Sequence, residues 1–208
     1  MIIHNMEQGT DEWFAVRKGK LTASHGTAIA SNGAGLKTYV KDIVLSMFTE
    51  KKALTGADFD RGNELEPIAR MKYEFEKDVE VIEVGFIEIS NRAGYSPDGL
   101  VGDDGLIEIK ARNNAKHLDL LLTNKIDTGT VWQMQMGMMA TGRKWCDFIS
   151  YNPNFKKNSM YVQRVHRDEV AIQKLRKGVY EGSKMIEELL RQPFIQDEIK
   201  LADNLEDK

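Results

Sequence analysis

Hydrophobic residues along this chain change period several times, and each change marks a predicted element. Residues 106–110 run apolar, apolar, acidic, apolar, basic, the two-residue repeat of a strand, which sets Glu108 and Lys110 on one face and Ile107 and Ile109 on the other. The Val- and Ile-rich run 79–89 also reads as extended, with Gly85 as a bulge. With 94–101 and 106–111 it completes a central antiparallel group, and 145–151 and 159–165 add two more strands. Helical spacing predicts a helix over 22–29, a pause through Ser31-Asn32-Gly33-Ala34-Gly35, and a second helix over 38–48. Further helices are predicted at 63–77, 114–122, 130–140 and 168–191. The last carries Val170, Ile172, Leu175, Val179, Ile186, Leu189 and Leu190 on a face suited to cover the sheet, and 204–208 is expected to fray.

This mixture of elements makes the chain an α/β protein, a central mixed β-sheet flanked by helices. Its 208 residues suit one domain over 1–208, with a core large enough to need no disulfide or structural metal. Only four prolines occur and no repeat or low-complexity tract divides the sequence. The single cysteine, Cys146, lies in apolar strand text beside Trp145 and Phe148, which suits a core or surface thiol in a reducing compartment rather than a nucleophile. No run approaches a membrane span and the first residues lack a charged leader, so a cytoplasmic protein of a bacterial host cell, without membrane attachment, is expected. His4, His25, His117 and His166 are scattered without zinc-ligand spacing. Met134, Met136, Met138 and Met139 read as flexible core packing.

Candidate chemistry concentrates between residues 96 and 110. Ser96-Pro97-Asp98-Gly99 precedes a turn at Gly102-Asp103-Asp104-Gly105, which returns the chain so that Asp98 comes near Glu108 and Lys110. Carboxylate oxygens suit Mg²⁺ or Mn²⁺ with open water positions, and a neighbouring lysine can orient the attacking water or stabilise charge on a phosphate. That chemistry is phosphodiester hydrolysis. An ordinary solvated hairpin carries the same residue types, since Glu-Ile-Lys is common on exposed strands and Pro-Asp-Gly in turns.

Proline-aspartate, a spacer, then glutamate-X-lysine resembles the PD-(D/E)XK nuclease superfamily, and the flanking text is similar to the lambda exonuclease-like, YqaJ viral recombinase family within it. Other blocks agree in the same order: Gln8-Gly9-Thr10-Asp11-Glu12-Trp13 with Arg17-Lys18-Gly19, Leu21-Thr22-Ala23-Ser24, Gly62-Asn63-Glu64-Leu65-Glu66, Trp132-Gln133-Met134-Gln135 and, more weakly, Tyr151-Asn152-Pro153. The resemblance implies a restriction-endonuclease-like domain in which Asp98, Glu108 and Lys110 are catalytic and Glu66 adds a carboxylate from a helix. It implies Mg²⁺, with Mn²⁺ as a substitute and a pair of ions per site, held by Asp98, Glu108 and the Ile109 carbonyl. It places Arg17, Ser24, Ser96 and Gln133 at the 5′-terminal phosphate of a DNA end, a group that a guanidinium with hydroxyl and amide donors can recognise.

Each position has a plainer use. Arg17 suits a solvated helix charge, Ser24 a helix cap and Glu66 the first turn of a helix, where Glu64 is its rival. Gln133 and Gln135 cannot share one helical face, so only one reaches the site, and the family pattern favours Gln133.

The implied activity is a metal-dependent 5′ to 3′ exodeoxyribonuclease that digests one strand of linear duplex DNA processively, giving mononucleotides and a 3′ overhang. A homotrimer ring around the DNA and a single-strand annealing protein as partner in recombination are implied with it. A net charge of -3 is awkward for a DNA enzyme, but residues 109–167 hold ten Lys or Arg against three acids, while 187–208 hold three against seven, so a basic face can coexist with an acidic tail. Lys37, Lys41, Lys51 and Lys52 are further candidates for touching duplex, with solvated surface as their default use. The alternatives are an endonuclease or junction resolvase with the same core, and a noncatalytic module that holds DNA ends.

Overall fold

The computed structural model describes residues 2–49 and 57–206. In chain order the elements are β1 (Ile2–His4), α1 (Asp11–Arg17), β2 (Leu21–Thr22), a 3₁₀ turn (Ala23–His25), α2 (Gly26–Ser31), α3 (Ala34–Leu45), α4 (Ala57–Lys77), β3 (Val81–Ile82) and β4 (Phe86–Ser90). There follow β5 (Ala93–Tyr95), β6 (Gly99–Val101), β7 (Gly105–Ala111), α5 (Asn114–Thr123), α6 (Thr128–Thr141), β8 (Trp145–Tyr151), β9 (Met160–His166), α7 (Glu169–Leu190) and α8 (Pro193–Glu206). Side-chain caps start the helices that frame the site. The Asn113 side chain accepts from the Lys116 N–H at α5, Asp127 from Thr130 at α6 and Asp168 from Val170 and Ala171 at α7. Gly142, at φ 76°, ends α6 in the left-handed conformation that glycine adopts at no steric cost.

The strands form two mixed sheets rather than one. A five-stranded sheet runs β3-β6-β7-β8-β9, with β7 and β8 parallel, and a four-stranded sheet runs β1-β4-β5-β2, with β2 and β5 parallel. The expected antiparallel group is therefore divided, because the chain passes between sheets twice. One passage follows β3, where Gly85 donates to the His4 carbonyl at 3.0 Å and a Cβ would stand 2.3 Å from the Met6 carbonyl oxygen. Gly85 thus permits a close backbone approach instead of a bulge. The other passage, Ser96-Pro97-Asp98, breaks the predicted strand 94–101 at a proline that cannot donate to a ladder. Gln8 ties the passages together, its side-chain amide donating to Val84 O at 3.2 Å and Pro97 O at 2.8 Å.

Each face of β7 buries a different core. Ile107 and Ile109 pack with Ala69 and Tyr73 of α4, Val81, Val101, Ile149 and Tyr151. Leu106 faces the larger core, which α2, α3, α6 and α7 close with Ile29, Leu36, Val40, Met134, Met136, Met138, Leu175 and Ile186. The methionine cluster is core packing, with three of its members fully buried, and Cys146 is a buried free thiol that burial, with Glu108, Asp98 and Asp147 nearby, pushes well up.

Several boundaries moved. The predicted helix 22–29 begins at Gly26, because Leu21 and Thr22 pair with Ala93 and Gly94 as a parallel strand. α4 starts at Ala57, which leaves Glu66 and Pro67 in its middle rather than in a first turn. α8 was not anticipated, although Ile195 is buried and Ile199 packs on the core; it extends to Glu206, over part of the segment expected to fray. Lys51 and Lys52 lie outside the described residues. No described helix is long and apolar enough to cross a membrane.

Candidate active site

Strand alternation delivers Glu108 and Lys110 to one side of β7, where Lys110 Nζ stands 2.7 Å from Glu108 Oε1. Glu108 is 0% exposed, and its Oε2 has no hydrogen-bond partner in the described structure. Oε1 also lacks hydrogen-bond geometry, so its contact with Lys110 is an ion pair by distance. Asp98 closes the site from the passage between sheets. Its Oδ2 accepts the Ile109 N–H at 2.6 Å. A strand residue turns its N–H and C=O to the same edge, so the Ile109 carbonyl faces Asp98 as well. The register that pairs Gly99 with Ile107 would set Pro97 opposite Ile109, and proline has no N–H to give that carbonyl.

Glu66 reaches this cluster from α4 through Arg70. The Arg70 guanidinium pairs with Glu66 Oε1 at 2.7 Å and with Glu83, and donates to the Asp98 carbonyl at 3.1 Å. Glu64, its sequence rival, is exposed. Gln133 of α6 accepts from Lys110 Nζ at 3.4 Å, whereas Gln135 turns into the fold to bond His166 O and the Asp168 N–H. Arg70 was not legible in the sequence, since an arginine four residues after a glutamate is ordinary helix surface.

Burial raises all three carboxyls. Glu66 is pushed up to about 7 by burial and then Asp98, with Arg70 and Lys110 opposing. Glu108 is pushed up to about 8 by burial, against Lys110, with Asp98 and Glu66 adding to the rise. Burial also lifts Asp98, while Lys110, the Ile109 N–H and Arg70 hold it down. Burial works against the Lys110 ammonium, but Glu108, Asp98 and Glu66 outweigh it and raise it. Three carboxyls share Lys110 and an Arg70 that Glu83 also engages, and Glu108 keeps an unpartnered buried oxygen. The donor set of Asp98, Glu108 and the Ile109 carbonyl is all oxygen and fits a hard divalent cation. Among the described residues no group of three or more His, Cys, Asp or Glu side chains is placed to hold a metal ion by itself.

A second group of predicted residues forms next to this cluster. Arg17, at the end of α1, donates to the Ser96 hydroxyl at 2.6 Å and lies over the Trp13 ring at 4.0 Å. Trp13 Nε1 donates to Ser96 Oγ and to the Gly85 carbonyl, both at 3.0 Å, so the Gln8-to-Trp13 block fixes both passages between the sheets. Burial lowers the Arg17 guanidinium to about 10, and no described carboxylate pairs with it. Ser24 caps no helix; it sits within the 3₁₀ turn, 3.2 Å from Thr22 Oγ1 and 3.3 Å from His25 Nδ1. Gly26 abuts the Trp132 backbone, where a Cβ would stand 2.9 Å from the carbonyl carbon, and this seats the turn against the residue before Gln133.

Much of the basic segment is engaged by the protein's own acids and carbonyls. Lys110, Arg112, Lys144, Arg164 and Arg167 pair with acids, and Arg143 donates to three backbone carbonyls. Lys116, Lys125, Lys156 and Lys157 remain exposed. They lie on and beside α5 and in the loop after β8; buried His117 ties α5 to β8 through Ser150 Oγ and to that loop through Asn158 O, each at 2.8 Å.

A strand-borne Glu-X-Lys facing an Asp from an adjoining link is the arrangement expected of a PD-(D/E)XK-type nuclease. The model of the YqaJ-like viral recombinase domain matches residues 12–144, and the chain belongs to that family. No curated protein matches. Among solved structures, an alkaline exonuclease, LHK-Exo from Laribacter hongkongensis, superposes with a TM-score of 0.80 at 36% identity, over 94% of this chain and 100% of that one. LHK-Exo in complex with dAMP gives 0.79 at 38% identity, over 88% and 97%. A phage-related exonuclease from Haemophilus somnus 129PT shares the fold alone, with a TM-score of 0.68 at 16% identity over 82% and 95%.

Proposed function

We propose that the chain is a Mg²⁺-dependent exodeoxyribonuclease that digests one strand of linear duplex DNA from a 5′-phosphorylated end, releasing mononucleotides and leaving a 3′ overhang. The observation that carries this reading is the buried Glu108 carboxylate, paired with Lys110 in the field of Asp98 and with one oxygen unpartnered. Asp98, Glu108 and the Ile109 carbonyl would hold the cation, a pair of Mg²⁺ ions on this proposal, with Mn²⁺ as a substitute. The cation supplies acidification of water and charge neutralisation at the scissile phosphate. Lys110 orients the attacking water and stabilises the charge that builds on the phosphate oxygens. Glu66, placed by Arg70, holds or accepts a proton at the edge of the site. Gln133 steadies the Lys110 ammonium from α6 and presents its amide toward the strand end.

Arg17, Ser96, Ser24 and Gln133 receive the terminal phosphate. A monoester carries more charge than an internal diester, so a guanidinium without a carboxylate partner favours ends over continuous backbone. The exposed lysines around α5 supply sequence-independent attraction to the duplex. Ile68, Met71 and Phe75 form a stripe on α4 and stand 44%, 62% and 88% exposed, which favours burial against another copy and supports a homotrimer ring. Hand-over of the 3′ overhang to a single-strand annealing protein in recombination in the host cytoplasm completes the proposal.

End dependence tests the reading. With Mg²⁺, linear 5′-phosphorylated duplex is consumed and covalently closed circles are untouched. Cutting of circles at a comparable rate makes the protein an endonuclease, and tight end binding without nucleotide release makes it a noncatalytic module.

A further inference from the structure

His25 follows Ser24 in the 3₁₀ turn and was set aside in the sequence as one of four scattered histidines. The fold gives it a fixed and accessible position. Its ring stacks on Tyr39 with centroids 3.7 Å apart and planes 10° from parallel. Tyr39 is itself anchored, since its hydroxyl accepts the Thr22 N–H at 3.0 Å and bonds Thr22 Oγ1 at 3.0 Å. One ring nitrogen of His25 bonds the Ser24 hydroxyl, and the other has no partner among the described residues. The residue is exposed, so that edge is open to a ligand.

The surroundings select an anion. The ionisable groups facing the ring are Asp42 and Tyr39 from α3 and Arg17 from α1; α6 contributes the neutral Trp132 and Gln133 beside the turn. Arg17 is mostly buried, and among the described residues its guanidinium meets the Ser96 hydroxyl and the Trp13 and Phe86 rings. Two donor pairs, Arg17 with Ser96 and Ser24 with Thr22, thus lie within the His25 ring's electrostatic neighbourhood, and Arg17 has no described carboxylate partner. Burial, and after it Arg17, keeps His25 below the usual imidazole range, although Asp42 opposes them.

We propose that His25 contacts the terminal phosphate monoester of a DNA strand, its imidazole N–H adding to the Ser24 hydroxyl and the Arg17 guanidinium and sharpening discrimination between 5′-phosphate and 5′-hydroxyl ends. The inference rests on the 5′-phosphate assignment above and adds a residue to it. A doubly charged phosphate beside the ring stabilises imidazolium, so His25 gives most to the ligand with most charge. Tyr39 acts as the platform that holds the ring edge toward the pocket.

The test compares His25→Ala and His25→Phe with the unaltered protein, on linear duplexes that differ only in carrying a 5′-phosphate or a 5′-hydroxyl. The readout is the ratio of kcat/KM on the two ends. Both variants are expected to lower that ratio about tenfold, the effect of one hydrogen bond to a charged group. Phe keeps a ring to stack on Tyr39 but has no N–H, so retention of the ratio by His25→Phe with loss in His25→Ala assigns the effect to packing and overturns the inference. Equal loss on both substrates overturns it too. An unaltered protein with no 5′-phosphate preference removes the pocket itself, and His25's role with it.

Discussion

Lys110 and Glu108 meet at 2.7 Å on one face of β7, where the glutamate is wholly buried and the lysine is part exposed. The pair is asymmetric in purpose. Glu108 needs positive charge from more than one direction, and Lys110 reaches outward as far as Gln133. Lys110→Ala is predicted to lower the single-turnover rate by at least about a hundredfold, with DNA-end affinity changed little, because the lysine acts on charge that develops in the transition state. Fluorescence anisotropy beside rapid-quench kinetics separates the two. A variant that turns over normally contradicts the assignment.

Cation binding should release protons. Glu66 and Glu108 are raised to about 7 and about 8 in the metal-free protein, so part of each stays protonated at neutral pH and must ionise to act as a ligand or base. Affinity for Mg²⁺ is therefore predicted to rise with pH through about 7 to 8, with a heat that depends on buffer ionisation. Folding runs the other way: a carboxyl whose folded pKa exceeds its unfolded value binds the extra proton in the folded state, so the metal-free protein loses stability as pH climbs from the unfolded range near 4.5 toward about 8. Glu108→Gln should flatten that slope. Thermal denaturation across pH with and without Mg²⁺ measures both.

Trp13→Phe removes one N–H that serves both Ser96 and Gly85. Loss of these bonds is predicted to cost about 1–2 kcal/mol of stability. The preference for 5′-phosphorylated ends should fall with it, because Ser96 loses the partner that holds it against Arg17. Denaturant titration and paired end-substrate kinetics check the two effects separately. An unchanged preference would mean that Arg17 alone positions Ser96.

Gly26→Ala tests how the 3₁₀ turn is seated. The added methyl would press on the Trp132 carbonyl carbon at 2.9 Å, and main chain cannot give way as a flexible side chain can. The variant is predicted to fold with lower stability, typically by about 1–3 kcal/mol, and with weakened end discrimination. Melting temperature and the 5′-phosphate to 5′-hydroxyl rate ratio report it.

Local chemistry carried the candidate catalytic group into view: alternation alone placed Glu108 beside Lys110, and the turn at 102–105 returned the chain toward Asp98. What stayed hidden depended on contacts between residues far apart in the chain. Gln8 and Trp13 bond to 84–97, and no period or composition marks them as braces for two passages between sheets. The division of the sheet was hidden for the same reason, since β3 and β4 are near neighbours in sequence and only their partners differ. β1, three residues long, is too short for a period. The charge count misled in part, because Arg143, Arg164 and Arg167 are engaged by backbone carbonyls and acids of the fold itself.

The most direct measurement uses a linear duplex with a 5′-phosphate on one end only and a 5′-hydroxyl on the other, incubated with Mg²⁺ and followed strand by strand. The phosphorylated strand should shorten from its 5′ end to mononucleotides while the opposite strand persists as a single-stranded 3′ overhang. Equal digestion of both strands, or internal cuts in either, would contradict the account.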